Sequence, residues 1–324
     1  MPATGGKMPT AVSLFTGCGG SDAGLVSLGF DVLLANDILP YARDVYLHNH
    51  PETDYRLGDV AAIKSFPKAE LLVGCYPCQG FSQGGARQAN RNINYLYLEF
   101  LRALQQIQPK AFIVENVSGM IRSTYRHLLD DQISKFSAAG KHGYHVQPAV
   151  LNAQDFGVAQ ERKRIIIVGI RNDLGVEYSF PFASHGQHGR KPLVTIRDAL
   201  AGLPDWPTGE FCEDPFHWYY LSRNRRRDWT ETSKTIVSHM RHMPLHPMSP
   251  ALQRVHTDKW VFESNEPARR FSYREAARLQ GFGKKFSFPE TDAATLAMKY
   301  RVVGNAVPPP LFKAVAAALP DVWS

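Results

Sequence analysis

A doubly wound α/β sheet of mixed strand direction, carrying a smaller inserted domain, is the architecture this chain predicts, and three observations predict it. The first apolar run passes through a glycine turn into a helical stretch. Later apolar runs alternate with helical periodicity, and each delivers polar or reactive residues at its carboxyl end. In such a sheet ligands bind in the crevice outside those carboxyl ends.

Ala11 to Phe15 is the first β-favouring run, Thr16 to Gly20 the turn, and Ser21 to Leu28 the helix, with Ser21 and Asp22 at cap positions. A second strand, Phe30 to Ala35, ends at Asn36 and Asp37. A third, Glu70 to Gly74, stops at Cys75-Tyr76-Pro77-Cys78, and a fourth, Ala111 to Val114, ends at Glu115 and Asn116. A further strand, Arg164 to Ile170, follows a hairpin-like segment from Tyr144 to Gln160. From about Asn172 to Arg270 the chain is rich in Pro, His, Trp and Arg without long helical periodicity, so an irregular or β-rich insertion is expected. Periodicity returns with the amphipathic helix Tyr273 to Leu279, and Pro308-Pro309-Pro310 opens a closing helix, Leu311 to Leu319. The expected division is one domain in two parts, 1–171 and 272–324, around an insertion at 172–271.

With 44% hydrophobic and 21% charged residues in 324, composition excludes disordered, collagen-like and coiled-coil classes. No stretch approaches the roughly 18 apolar residues of a membrane span, and Met1 to Thr10 lacks a signal peptide's apolar segment, so a cytoplasmic protein is expected. Lys and Arg exceed Asp and Glu by 37 to 30, a net +7 compatible with a polyanionic partner but not diagnostic of one. Four cysteines, at 18, 75, 78 and 212, are too few and too scattered for a disulfide framework and are expected as thiols.

Gly17, Gly19 and Gly20 let the backbone turn tightly and approach a ligand. A dinucleotide fingerprint needs a third glycine where Asp22 stands, which disfavours a nicotinamide cofactor. Asp37 is placed to accept from ribose hydroxyls and Asp59 from an adenine amino group, a pattern suited to an adenosyl ligand without pyrophosphate, such as S-adenosylmethionine.

The stretch Cys75-Tyr76-Pro77-Cys78-Gln79-Gly80-Phe81-Ser82 is the most informative. A zinc site would need a second cysteine pair, which is absent, or His239, His242 and His246, which are remote. A thioredoxin-like dithiol belongs on a smaller fold. A thiolate ending a middle strand before a glycine loop instead reads as a nucleophile, Cys78, with Pro77 fixing its approach.

Six blocks then occur in one order: Phe15-x-Gly17-x-Gly19-Gly20, Pro77-Cys78-Gln79-Gly80-Phe81-Ser82, Glu115-Asn116-Val117, Gln160-x-Arg162-x-Arg164, Arg278-Leu279-Gln280-Gly281-Phe282 and Gly304-Asn305-Ala306-Val307-Pro308. From Ala11 to Leu319 the chain thereby resembles the DNA (cytosine-5)-methyltransferases. Two departures are Cys75, where the family more often has glycine, and Asn94-Tyr95, where Arg-Gly is common. The resemblance implies a Rossmann-like S-adenosylmethionine-dependent methyltransferase fold with an inserted target-recognition domain, acting on duplex DNA without an obligatory protein partner. It implies the bacterial restriction-modification type, since no long regulatory segment precedes the first block. Phe15, Ile38, Val60, Pro77, Leu96 and Asn305 join the glycines and Asp37 and Asp59 in the implied cofactor site.

Carbon 5 of cytosine is a poor nucleophile until a group adds at carbon 6. The resemblance gives that addition to Cys78, assistance at N3 to Glu115, and contact with O2 to Arg164 supported by Arg162 and Gln160. The target base must leave the duplex stack to be reached. Gln79, Ser82, Arg87 and Arg91 lie on a loop suited to cover DNA. Leu221 to Trp260 carries eight basic and three acidic residues, and Arg223, Arg225, Arg226 and Arg227 suit phosphate or guanine contacts, while the resemblance adds Thr235 to the DNA-binding residues, in a pair that anchors the recognition region in this family. The competing readings are a tRNA-directed relative, an inactive DNA-binding relative and a dithiol oxidoreductase.

Overall fold

The computed structural model describes residues 8–77 and 95–323. Its centre is a sheet of β1 (Thr10–Leu14), β2 (Asp31–Asp37), β3 (Asp54–Leu57), β4 (Leu71–Gly74), β5 (Ala111–Val117), β6 (Tyr144–Asn152) and β7 (Lys163–Arg171), in the spatial order β3-β2-β1-β4-β5-β7-β6. The strands from β3 to β5 pair in parallel, and β7 runs antiparallel to β5 and β6. The chain order reverses between β1 and β4, which opens the crevice at their carboxyl ends. The helices are α1 (Gly20–Val26), α2 (Pro40–Asn49), α3 (Tyr97–Ile107), α4 (Arg126–Ser137), α5 (Ile196–Leu200), α6 (Trp218–Leu221), α7 (Tyr273–Leu279), α8 (Leu296–Asn305) and α9 (Pro309–Ala317).

The central strands β4 and β5 are apolar runs because both sheet faces are covered. On one face α3 buries Phe100, Ala103, Leu104 and Ile107, the spacing of a single helical stripe, and Phe100, Phe112 and Phe136 meet edge to face. On the other face lie Leu25 of α1 and Leu311, Phe312 and Val315 of α9. The hairpin-like segment resolves into edge strand β6 and the return to β7. Helix α8 was not expected, because its buried side carries Lys299 and Gly304 among Tyr300, Val302 and Val303, which breaks the apolar stripe.

Between residues 172 and 271 regular structure is limited to α5, α6, single 3-10 turns and one antiparallel pair, β8 (Leu252–His256) with β9 (Lys259–Phe262). Ile196, Leu200, Ile236 and Met243 from this stretch share a core with Tyr41, Val45, Ala276, Leu279 and Tyr300. Tyr220, Leu245 and Leu252 form a smaller cluster.

The return to α7 is held by charge. Arg269, fully buried, grips Glu275 through two 2.7 Å hydrogen bonds, and Glu275 also closes the capping box of α7 with Ser272. His246, beside this carboxylate, has its pKa pushed down to about 3 by burial and by Arg269, so its ring is neutral. Met248 N–H donates to its Nδ1, so this ring has a structural occupation. Breaking a buried pair from one side leaves a charge without its partner. Glu275→Gln is therefore expected to lower unfolding stability by about 3–5 kcal/mol with an unchanged denaturant slope, measured by urea titration.

Candidate active site

The glycine loop is fixed from below by a carboxylate. Asp22, fully buried, accepts from Ser13 Oγ at 2.7 Å, Thr16 Oγ1 at 2.7 Å and Ser21 Oγ at 3.0 Å, tying the end of β1, the turn and α1 together. From sequence Asp22 excludes a dinucleotide and, with Ser21, is expected to cap the helix; the N-cap is instead Gly19, and Asp22 lies inside the first turn with its carboxylate taken by the hydroxyls at 13, 16 and 21 that precede it. Phe15 takes a left-handed backbone at φ 58°, and Gly19 caps α1 at φ 87°, where an added Cβ would sit 3.0 Å from the Tyr46 ring.

Asp37 ends β2 with one carboxylate oxygen accepting from Gly17 N–H at 2.9 Å and the other from Leu39 N–H at 3.0 Å. Burial raises its pKa, opposed by those backbone donors. Each oxygen retains a further lone pair for a hydroxyl donor. Ile38 beside it is 65% exposed, an apolar side chain left open at the crevice. Asn36 donates to Arg56 O and Gly58 O, which brings the turn after β3 against β2. There Asp59 caps the 3-10 turn Val60–Ala62 with one oxygen, and Val60 is buried. Leu96 stands at the N-cap of α3 and packs on the sheet face that α3 covers, Asn305 ends α8 exposed, and Gly20 presses against Val307 O.

At the end of β5, Glu115 is 8% exposed and its Oε1 lies 2.8 Å from Arg164 Nε. The β5–β7 register pairs Glu115 with Ile166 and Val117 with Arg164, so the two charges are diagonal neighbours on one face. Burial lowers the Arg164 pKa, and Glu115 opposes that shift. Asn116 donates to Tyr76 O at 3.1 Å, and Tyr76 OH donates to Gln132 Oε1 at 2.6 Å, so the backbone leading into Pro77 is held against β5 and α4. Cys75 is half-buried and burial holds its thiol well above the ordinary value, which makes it a poor nucleophile. Cys78, Gln79, Ser82, Arg87 and Arg91 lie outside the described residues.

Arg162 stands behind Arg164. Its guanidinium donates to Ile236 O at 2.8 Å, Gly304 O at 3.0 Å and Ala306 O at 3.2 Å, so the terminal nitrogens are committed to main chain rather than to the Glu115 corner. Gln160 accepts from Ile236 N–H and donates to Gln280 Oε1, both at 2.7 Å, and Gln280 donates to Val303 O and Ala306 O. Thr235 donates its hydroxyl to Glu161 O at 2.7 Å, so it is an anchor of this joint instead of an open donor for DNA. Four separate sequence blocks thus meet in one buried network.

A family model for C-5 cytosine-specific DNA methylase matches residues 10–321. The chain belongs to that family. It is a DNA (cytosine-5) methyltransferase, and it is 37% identical to the Type II methyltransferase M.BsuRI of Bacillus subtilis over 97% of this chain and 79% of the relative. To M.NgoPII of Neisseria gonorrhoeae, also a Type II methyltransferase, it is 33% identical over 95% of this chain and 94% of the relative. The crystal structure of the Schizosaccharomyces pombe Dnmt2 methyltransferase superposes with a TM-score of 0.68 at 18% identity, covering 95% and 97% of the two chains, which shows the shared fold.

In this methylase the Arg223–Arg227 run is divided in its tasks. Arg226 is held inside by Ser249 O, Pro247 O and Asp228, and Arg225 donates to His242 O, so neither is the open phosphate contact expected from sequence. Arg227 lies 3.7 Å from Glu231, and Arg223 stacks on Tyr219. No helix among the described residues is long and apolar enough to cross a membrane. Replacing Asp22 by Asn puts a donor where three hydroxyls donate. Asp22→Asn is expected to cost about 1–3 kcal/mol of stability and to raise the KM for the methyl donor more than it lowers kcat, read by thermal melts and steady-state kinetics.

Proposed function

We propose that this methyltransferase moves a methyl group from S-adenosylmethionine to carbon 5 of a flipped-out cytosine in a specific duplex sequence, as the modification enzyme of a restriction system in the bacterial cytoplasm. The Glu115–Arg164 pair carries the reading: a carboxyl and a guanidinium 2.8 Å apart, nearly dry, at the end of β5 beside the segment that leads to Cys78. Residues 1–171 and 272–324 would form the catalytic domain and 172–271 the recognition domain, working as a monomer.

The Cys78 thiolate adds to carbon 6 and its electron pair pushes ring density to N3, where Glu115 donates a proton or hydrogen bond. Arg164 holds O2 and offsets the charge that develops there. Carbon 5 is then enamine-like and nucleophilic. After methylation water takes the carbon 5 proton, the electrons of that bond re-form the C5–C6 double bond as the C6–S bond to Cys78 breaks, and N3 returns its proton to Glu115, which restores the aromatic ring and the thiolate. Arg162 and Gln160 act as positioning residues behind Arg164.

The crevice suits the cofactor by its donor set: Asp37 has acceptor capacity for ribose hydroxyls, Asp59 keeps one oxygen for an adenine amino group, and Ile38 and Phe15 offer apolar surface. Gly17, Gly19 and Gly20 would hold the rest, with Val60, Pro77, Leu96 and Asn305 at the rim. Bound there, S-adenosylmethionine supplies an electrophilic methyl group.

A duplex containing 5-fluorocytosine traps the enzyme, because fluorine cannot leave carbon 5 as a proton does. With S-adenosylmethionine the wild type is expected to form a denaturation-resistant adduct and Cys78→Ser none, while Cys75→Ser keeps full methylation. Glu115→Gln is expected to slow methylation by about 10²- to 10⁴-fold. An adduct surviving in Cys78→Ser, or activity lost in Cys75→Ser, overturns the mechanism. Bisulfite sequencing of DNA from cells expressing the protein identifies the methylated sequence.

A further inference from the structure

Helix α6 is one turn with two unlike sides. Tyr220 is buried with Leu245 and Leu252, donates its hydroxyl to Met243 O at 2.7 Å, and lies under the Arg270 guanidinium at 4.8 Å. Leu221 packs on the same cluster. Through Met243 the turn is tied to the 235–243 stretch that docks on the Gln160–Arg162 network. With Tyr220 and Leu221 anchored, Trp218 remains 60% exposed and Tyr219 46% exposed, two large rings in solvent side by side. Such surface is costly to leave wet and marks a contact face.

The charge beside these rings selects the partner. Arg223 stacks on the Tyr219 ring at 4.7 Å, donates to its hydroxyl, and makes no ion pair among the described residues. An aromatic pair joined to an unneutralised guanidinium, within a stretch of eight basic and three acidic residues from Leu221 to Trp260, complements bases and phosphate. Flipping the target cytosine also unstacks its neighbours, and this opens a base face to a planar side chain.

We propose that Trp218 stacks on a base of the bound duplex, with Arg223 setting the position from a phosphate. This rests on the DNA methyltransferase reading and adds a binding residue to it. The test uses a duplex carrying the sequence found by bisulfite mapping, with binding and methyl transfer measured for wild type, Trp218→Ala, Trp218→Phe and Arg223→Ala. Trp218→Ala is expected to raise Kd and KM for that duplex by about 5- to 100-fold, the range of one lost base stack, with kcat at saturating DNA within about twofold. Trp218→Phe is expected to recover most of the loss, and the salt slope of binding to stay unchanged. Arg223→Ala is expected to lessen that slope by about one. Unchanged Kd in Trp218→Ala overturns the proposal, as does an altered self-association in that variant without a change in DNA binding, since the face would then belong to a protein partner. An equal loss in Trp218→Phe and Trp218→Ala with a lowered melting temperature overturns it too, by assigning the ring a structural role. Failure of the wild type to methylate any duplex counts against the proposed function instead.

Discussion

A buried guanidinium without a carboxylate organises this enzyme. Arg162 takes a charge away from water, and an uncompensated interior charge is tolerated only when its donors are met by good acceptors. Its acceptors are the carbonyls of Ile236, Gly304 and Ala306, which come from segments far apart in sequence. Its two terminal nitrogens meet these carbonyls while its buried Nε has no partner among the described residues, and meeting the terminal pair closes the molecule: the loop before β7, the stretch from 172–271 and the end of α8 must come together. Gly304 shows how tightly they do so, since an added Cβ would lie 2.2 Å from the Val237 carbonyl. The next residue but one along β7 is Arg164, so the strand that carries the Glu115 partner is held in register by this joint.

A second restraint acts at the other end of the crevice. Asp22 draws three hydroxyls inward and thereby shapes the turn from which Gly17 reaches Asp37. Both devices place fixed dipoles and charges before any ligand arrives, which is how a site limits reorganisation during reaction. Asn116 does the same between β5 and the backbone before Cys78.

The strands and their reactive ends were legible in sequence because parallel strands buried on both faces read as short apolar runs, and Asp37, Cys75 and Glu115 stand where those runs stop. Helix α8 was not, because packing against main chain asked for glycine and a snorkelling lysine where periodicity asks for apolar side chains. The arginines misled for a related reason. Composition records a charge but not its direction, and the sequence could not tell that Arg162 and Arg226 face carbonyl oxygens while Arg223 faces solvent beside an aromatic ring. Thr235 is similar: a hydroxyl in a basic stretch reads as a DNA contact until its acceptor, Glu161 O, is known.

That distinction changes what the net +7 means. Arg162 and Arg270 are buried on main-chain carbonyls and make no ion pair among the described residues, so two of the surplus charges act inside the protein and present no surface to a polyanion. Arg164 and Arg269 are neutralised where they lie by Glu115 and Glu275. The charge that can touch DNA on the described surface is then more local than composition suggests, and it falls on exposed groups such as Arg223. Long-range attraction of this size steers association but discriminates poorly between sequences. Specificity must come from contacts that desolvate base edges or faces, and on the described surface the aromatic side of α6 is built for such a contact, because its rings are held out of the core by the neighbours that anchor the turn.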